Sequence, residues 1–188
     1  MQWNWPNTLT VGRIAFIPFF VMLFYVQPML TEYEVNLYAT IIFVLASLTD
    51  WLDGYLARRL QQTSKFGAFL DPVADKLMVA AALLMLVELD RVGAIIALII
   101  IGREIAISAL REWMAGLGQG GSVAVAMIGK LKTIAQMIAI PFLLYDYPLF
   151  GIDIDFLGRV LIWIAAFLTL LSMAYYLKSA LPTIRGHQ

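Results

Sequence analysis

Cysteine is absent and histidine occurs once, at His187. The first absence excludes disulfides and thiolate metal sites, and the second leaves no imidazole cluster for zinc or copper. Charge is scarce as well: of 188 residues, 14% are charged and 62% hydrophobic, with a mean hydropathy of +0.83. That leaves too little polar surface to cover a soluble domain, so the chain reads as an all-α integral membrane protein. Lys plus Arg and Asp plus Glu both total 13, so no overall field favours nucleic acid, which is not expected as a partner. There is no internal repeat and no polar stretch of domain size, and residues 1–188 read as a single transmembrane domain.

Six apolar segments, near 13–30, 35–58, 66–88, 92–114, 129–146 and 156–178, each suit a bilayer crossing of about 20 residues. Basic residues cluster at alternate connections: Arg13, then Arg58, Arg59 and Lys65, then Lys130 and Lys132, then Lys178 and Arg185. The other connections carry Glu32 and Glu34, then Glu88, Asp90 and Arg91, then Asp146, Asp153 and Asp155. By the positive-inside rule both termini of this multi-pass chain are expected in the cytoplasm. Met1 to Trp5 has no basic n-region, so the first helix is expected to be retained, with Trp3 and Trp5 at the interface. The run Gly116 to Ser122 follows a helix and is expected to be a turn, not a phosphate loop.

Within these apolar segments lie Asp50, Asp53, Asp71 and Asp75, charges costly enough in a membrane to require a function. Asp50, Asp53, Gly54 and Ala57 share one helical face, and Gly67, Asp71 and Asp75 form an i, i+4, i+8 stripe on the next helix. The polar stretch Arg58 to Lys65 between them is short enough to make the pair antiparallel. Folding about Gln62 and Thr63 would set Asp50 opposite Asp75, Gly54 opposite Asp71 and Arg58 opposite Gly67. Four carboxylates then converge on the cytoplasmic side.

Bare carboxylates at one depth would repel, and divalent cations remove the conflict. An oxygen-only donor set favours Mg²⁺, Mn²⁺ or Ca²⁺, and shared carboxylates suit a two-metal site of the kind used for phosphoryl chemistry. Gly54, Ala57 and Gly67 leave room for a nucleotide or phosphate near the backbone, and Arg58 is placed to pair with a phosphate.

The pattern Asp50-Trp51-Leu52-Asp53-Gly54-Tyr55-Leu56-Ala57-Arg58, with Gly67, Asp71 and Asp75 following, resembles the signature of the CDP-alcohol phosphotransferase family. That resemblance implies six transmembrane helices in the family fold, a homodimer, two divalent cations (Mg²⁺ or Mn²⁺), and displacement of CMP from a CDP-linked lipid by an alcohol. It also implies that Asp50, Asp53, Asp71 and Asp75 are metal ligands, that Asp75 is the base on the acceptor hydroxyl, and that Gly54, Ala57, Arg58 and Gly67 line the CDP site.

The acceptor is read from other charges. Arg103 and Arg111 in the fourth segment, with Lys130 and Lys132 at the start of the fifth, suit a phosphorylated acceptor better than a neutral one. Glycerol 3-phosphate fits, and the resemblance implies CDP-diacylglycerol as the donor in the bilayer. Arg103-Glu104-Ile105, Ser108 to Glu112, Ser122 to Val125, Gly129 to Thr133 and Pro6 to Arg13 extend the resemblance to members of the family that use this acceptor. Pairing of the arginines with Glu104 or Glu112, and lysines that simply follow the positive-inside rule, are the plainer readings. Cardiolipin, inositol-phosphate and serine-type members are alternatives within the family. A membrane prenyltransferase, or a metal or ion transporter built on the four aspartates, are alternatives outside it.

Overall fold

In the computed structural model the backbone is described for residues 5–26, 29–60, 65–116 and 127–186, and side chains for 12–26, 29–49, 73–110, 112–114, 127 and 129–178. The described residues form six helices: α1 (Trp5–Leu23), α2 (Glu32–Leu60), α3 (Lys65–Glu88), α4 (Ala94–Gly116), α5 (Met127–Tyr145) and α6 (Ile154–Gly186). Each apolar segment holds one helix, and several helices outrun their apolar stretch, because capping groups set helix ends whereas hydropathy marks only the part suited to lipid; α1 instead ends at Leu23, short of the expected limit at 30. At α2 a reciprocal capping box starts the helix ahead of Val35. Thr31 Oγ1 accepts from the Glu34 amide at 3.3 Å, and Glu34 Oε2 accepts from the Thr31 amide at 2.8 Å. Those hydrogen bonds hold the exposed Glu34 carboxyl below its ordinary pKa. At α6, Asp153 Oδ1 accepts from the Phe156 amide at 3.0 Å.

The end of α3 is closed by a Schellman arrangement. Asp90 takes a left-handed φ of 56°, its amide donates to the Val87 carbonyl, and the Arg91 amide donates to the Leu86 carbonyl. This turn aims Arg91 at the neighbouring helix end. Its guanidinium donates to the carbonyls of Leu143 and Leu144 in the last turn of α5, at 3.1 and 3.0 Å, and to Asn36 Oδ1 at 3.2 Å. It also pairs with Asp146 at 3.1 Å. A cation on the unpaired carbonyls of a helix C-terminus is favourable on both hydrogen-bonding and dipole grounds. Arg91 thereby ties α2, the α3–α4 turn and the end of α5 together at one end of the bundle.

The most extensive helix contact is α5 with α6; α1 packs on α3, α2 on α5, and α4 on α6. Gly158 makes the α5–α6 approach possible, since a Cβ there would lie 2.8 Å from Leu143 Cγ and 3.1 Å from Phe142 Cβ. Phe20, Phe43, Leu83, Leu86, Ile100, Ile140, Leu143 and Ile162 fill the core.

Many large apolar side chains face outward. Phe19, Leu45, Leu84, Leu98, Ile134, Trp163 and Phe167 are exposed, while Arg13, Asn36, Arg91, Arg103, Lys132, Gln136, Thr169 and Ser172 are buried. Polar groups inside and large hydrophobes outside is the distribution that a lipid solvent selects. Among the described residues, Ile154–Lys178 in α6 is the stretch long and apolar enough by itself to cross a membrane, with a mean hydropathy of 2.1. Arg103 and Glu104 in α4, and Lys130 and Lys132 in α5, lower the hydropathy of those helices.

Candidate active site

The backbone sets Asp50 and Asp53 on α2 and Asp71 and Asp75 on α3, two helices that touch one another. Of these four, only Asp75 is described as a side chain; it is half-buried. Asp50, Asp53, Gly54, Ala57, Arg58, Gly67, Asp71 and Arg111 are described no further than the helix that carries them, so the predicted facing of Asp50 with Asp75 lies outside the described side chains. So do the turn at 61–64, the Gly116 to Ser122 run and His187.

Around Asp75 the described side chains build a polar cluster from four helices. On α3, the next residue, Lys76, donates to Ser108 Oγ of α4. Also on α4, Glu104 Oε1 accepts from Lys132 Nζ of α5 and from Arg103 Nη1 at 3.4 Å. Arg103 Nη2 donates to Ser172 Oγ of α6 at 3.1 Å, and its guanidinium carbon lies 5.5 Å from the centre of the Tyr176 ring, a cation–π contact. Lys132 is 2% exposed and Arg103 7%. Lys132 also lies within electrostatic reach of Asp75 and Arg103.

Burial of this kind is costly unless charges are paired, and the pairing comes from helix ends that meet. The first half of α3, the second half of α4, the first turns of α5 and the second half of α6 lie at one end of the bundle, opposite the Arg91 cluster. Ser172 and Tyr176 share one face of α6 at i, i+4 spacing. Lys130 differs from Lys132 by two positions, about 200° around the helix, and is exposed. The structure thus separates two lysines that the sequence treats alike.

Lys76, Ser108, Ser172 and Tyr176 are additions to the sequence-derived set. Lys76 had a readable signal, being a further charge inside an apolar segment and adjacent to Asp75. Ser172 and Tyr176 had none, because a Ser and a Tyr in an apolar helix are common as packing residues.

A cavity of about 380 Å³ lies between α1 and α2, lined by Gly12, Arg13, Phe16, Ile42, Leu45, Ala46 and Thr49. It reaches the residue before Asp50.

The donor chemistry of the aspartates fits a hard divalent cation. Four carboxylates, no thiol and no histidine in these helices make an all-oxygen set.

Among the described residues, an all-helical bundle with an apolar exterior, buried cations and an aspartate-bearing helix pair has the make-up of a membrane protein with a polar site inside it. A family model described as CDP-alcohol phosphatidyltransferase matches residues 3–171, and the chain belongs to that family. The chain is 49% identical over 186 residues to a protein of Haemophilus influenzae named CDP-diacylglycerol–glycerol-3-phosphate 3-phosphatidyltransferase, covering 96% of this chain and 95% of that one. It is 48% identical over 182 residues to proteins of the same name from Escherichia coli K12 and Shigella flexneri, with 96% of each chain covered.

Proposed function

We propose that this chain transfers the phosphatidyl group from CDP-diacylglycerol to glycerol 3-phosphate, giving phosphatidylglycerophosphate and CMP. The observation that carries this reading is the pair of buried cations, Arg103 and Lys132, gathered on one carboxylate within reach of Asp75. A neutral acceptor such as inositol or serine gives no reason to bury two cations there, whereas a phosphorylated one does. The names of the relatives agree with it.

In this reading CDP-diacylglycerol enters from the bilayer, and the cavity ending at Thr49 is open to an acyl chain. Gly54, Ala57 and Gly67 let the cytidine diphosphate approach the helices, and Arg58 pairs with it. Two Mg²⁺ or Mn²⁺ ions held by Asp50, Asp53, Asp71 and Asp75 would supply charge neutralisation for the diphosphate and the departing CMP. Arg103 and Lys132 hold the phosphate of the acceptor, with Arg111 further along α4 as a third cation; Lys130, turned to the other side of α5, is left out of this grip. Asp75 takes the proton of the C1 hydroxyl as its oxygen attacks the lipid-linked phosphorus; the bond to CMP breaks, and CMP leaves with the bonding pair.

The further elements of the reading are six membrane crossings with both termini in the cytoplasm, a bacterial inner-membrane location, and a homodimer. Residues 1–188 act as one domain. The experiment is turnover by purified protein in mixed micelles with a panel of acceptors. Glycerol 3-phosphate-dependent release of CMP supports the assignment; turnover with inositol phosphate, serine or phosphatidylglycerol in its place would move the chain elsewhere in the family.

A further inference from the structure

Glu104 is not among the residues assigned above to donor, metal or acceptor, yet it is the group on which the cations converge. Arg103 and Glu104 are adjacent on α4, and adjacent helical residues point about 100° apart. Even so, Arg103 Nη1 lies 3.4 Å from Glu104 Oε1, the same oxygen that accepts from Lys132 Nζ. Glu104 reaches Lys132 on α5 while Arg103 reaches Ser172 and Tyr176 on α6, so the two side chains meet where α4, α5 and α6 come together. Two cations so near each other in a medium of low dielectric would repel and part unless a carboxylate lay between them. Two cations and one carboxylate leave a net charge of one positive, which suits a phosphate. One donor is also still available: Arg103 Nε is buried and has no hydrogen-bond partner among the described residues, while Nη2 is fixed by Ser172 and the guanidinium plane by Tyr176.

We propose that Glu104 is a positioning residue for the phosphate of the acceptor: it touches no substrate, and holds Lys132 and Arg103 at the separation needed to grip one phosphate together. The proposal rests on the glycerol 3-phosphate reading above. It assigns Glu104 an effect on acceptor affinity, transmitted through the spacing of Lys132 and Arg103, and none on the donor.

The test is steady-state kinetics of the purified full chain with both substrates varied. Glu104→Gln raises KM for glycerol 3-phosphate by about tenfold or more, with kcat within about threefold and KM for CDP-diacylglycerol unchanged. Glu104→Asp, which keeps the charge, returns KM to within about threefold of the parent. In a Lys132→Gln background the same Glu104→Gln change alters KM by less than about twofold, since no second cation remains to be spaced from Arg103. Glu104→Met gives the same rise as E104Q and replaces it if E104Q fails to accumulate. An unchanged acceptor KM, a full additional rise in the Lys132→Gln background, or equal rises in both KM values with a lower melting temperature would each overturn the proposal. A parent protein that releases no CMP with glycerol 3-phosphate would instead overturn the acceptor assignment, and the role of Glu104 with it.

Discussion

Replacing Arg91 with Met should cost the bundle much of its stability while sparing its chemistry. The guanidinium satisfies the Leu143 and Leu144 carbonyls, Asn36 Oδ1 and Asp146, all within 3.2 Å. Its contact with Glu32 at 3.5 Å is to a mostly exposed carboxylate, and adds little. Removing one partner of a buried ion pair costs roughly 3–5 kcal/mol. Asp146 is partly exposed, so the lower end, roughly 3 kcal/mol, is the better figure. For a chain of this size that is a fall of roughly 6–12 °C in melting temperature, followed by loss of helical circular dichroism in detergent. Burial raises the pKa of Asp146 and Arg91 opposes it. The folded state therefore holds the proton more tightly than the unfolded one, and stability falls as pH rises from the ordinary carboxylate range through the raised value. Without Arg91 that window extends upward, so the deficit of Arg91→Met is larger near pH 8 than near pH 5. CMP release assayed below the transition should stay within about twofold of the parent, because the end of α3 at Glu88, where the Arg91 turn begins, is about 20 Å along the helix from Asp75. Equal melting temperatures for variant and parent at both pH values would refute the role of the cluster.

Gly158→Val, which drives side-chain atoms into Leu143 and Phe142, should lower the melting temperature by an amount matching roughly 1–3 kcal/mol, read by the same dichroism. Asp75→Asn should abolish turnover while CDP-diacylglycerol binding, followed by ligand-induced thermal stabilisation, largely survives. Arg103→Lys loses the forked contact to Ser172 and Glu104, and should raise KM for glycerol 3-phosphate by about tenfold with little change for the donor. Chelation with EDTA should stop CMP release, and Mg²⁺ or Mn²⁺ should restore it.

The helices were legible because each is an apolar segment bounded by charge, and their ends were less so because caps such as Thr31 with Glu34 lie outside the hydropathy signal. Asp50, Asp53, Asp71 and Asp75 stand out in sequence through local spacing alone, since i, i+3 and i, i+4 relations are fixed by the helix. The acceptor end is different. Arg103 and Lys132 could be suspected from their charge, but their meeting on Glu104 joins helices 28 residues apart in sequence, a tertiary fact that no periodicity encodes. Arg91 reads in sequence as an ordinary charge in an outer connection. Only the left-handed turn at Asp90 and the nearby end of α5 explain why it is buried.

The central claim is tested most directly by following CMP and lipid product together, from purified protein in CDP-diacylglycerol micelles with Mg²⁺, as glycerol 3-phosphate is replaced by glycerol, inositol, inositol phosphate, serine or phosphatidylglycerol. CMP and phosphatidylglycerophosphate appearing in equal amounts with glycerol 3-phosphate alone is the predicted result. CMP release that ignores glycerol 3-phosphate and follows another acceptor would contradict it.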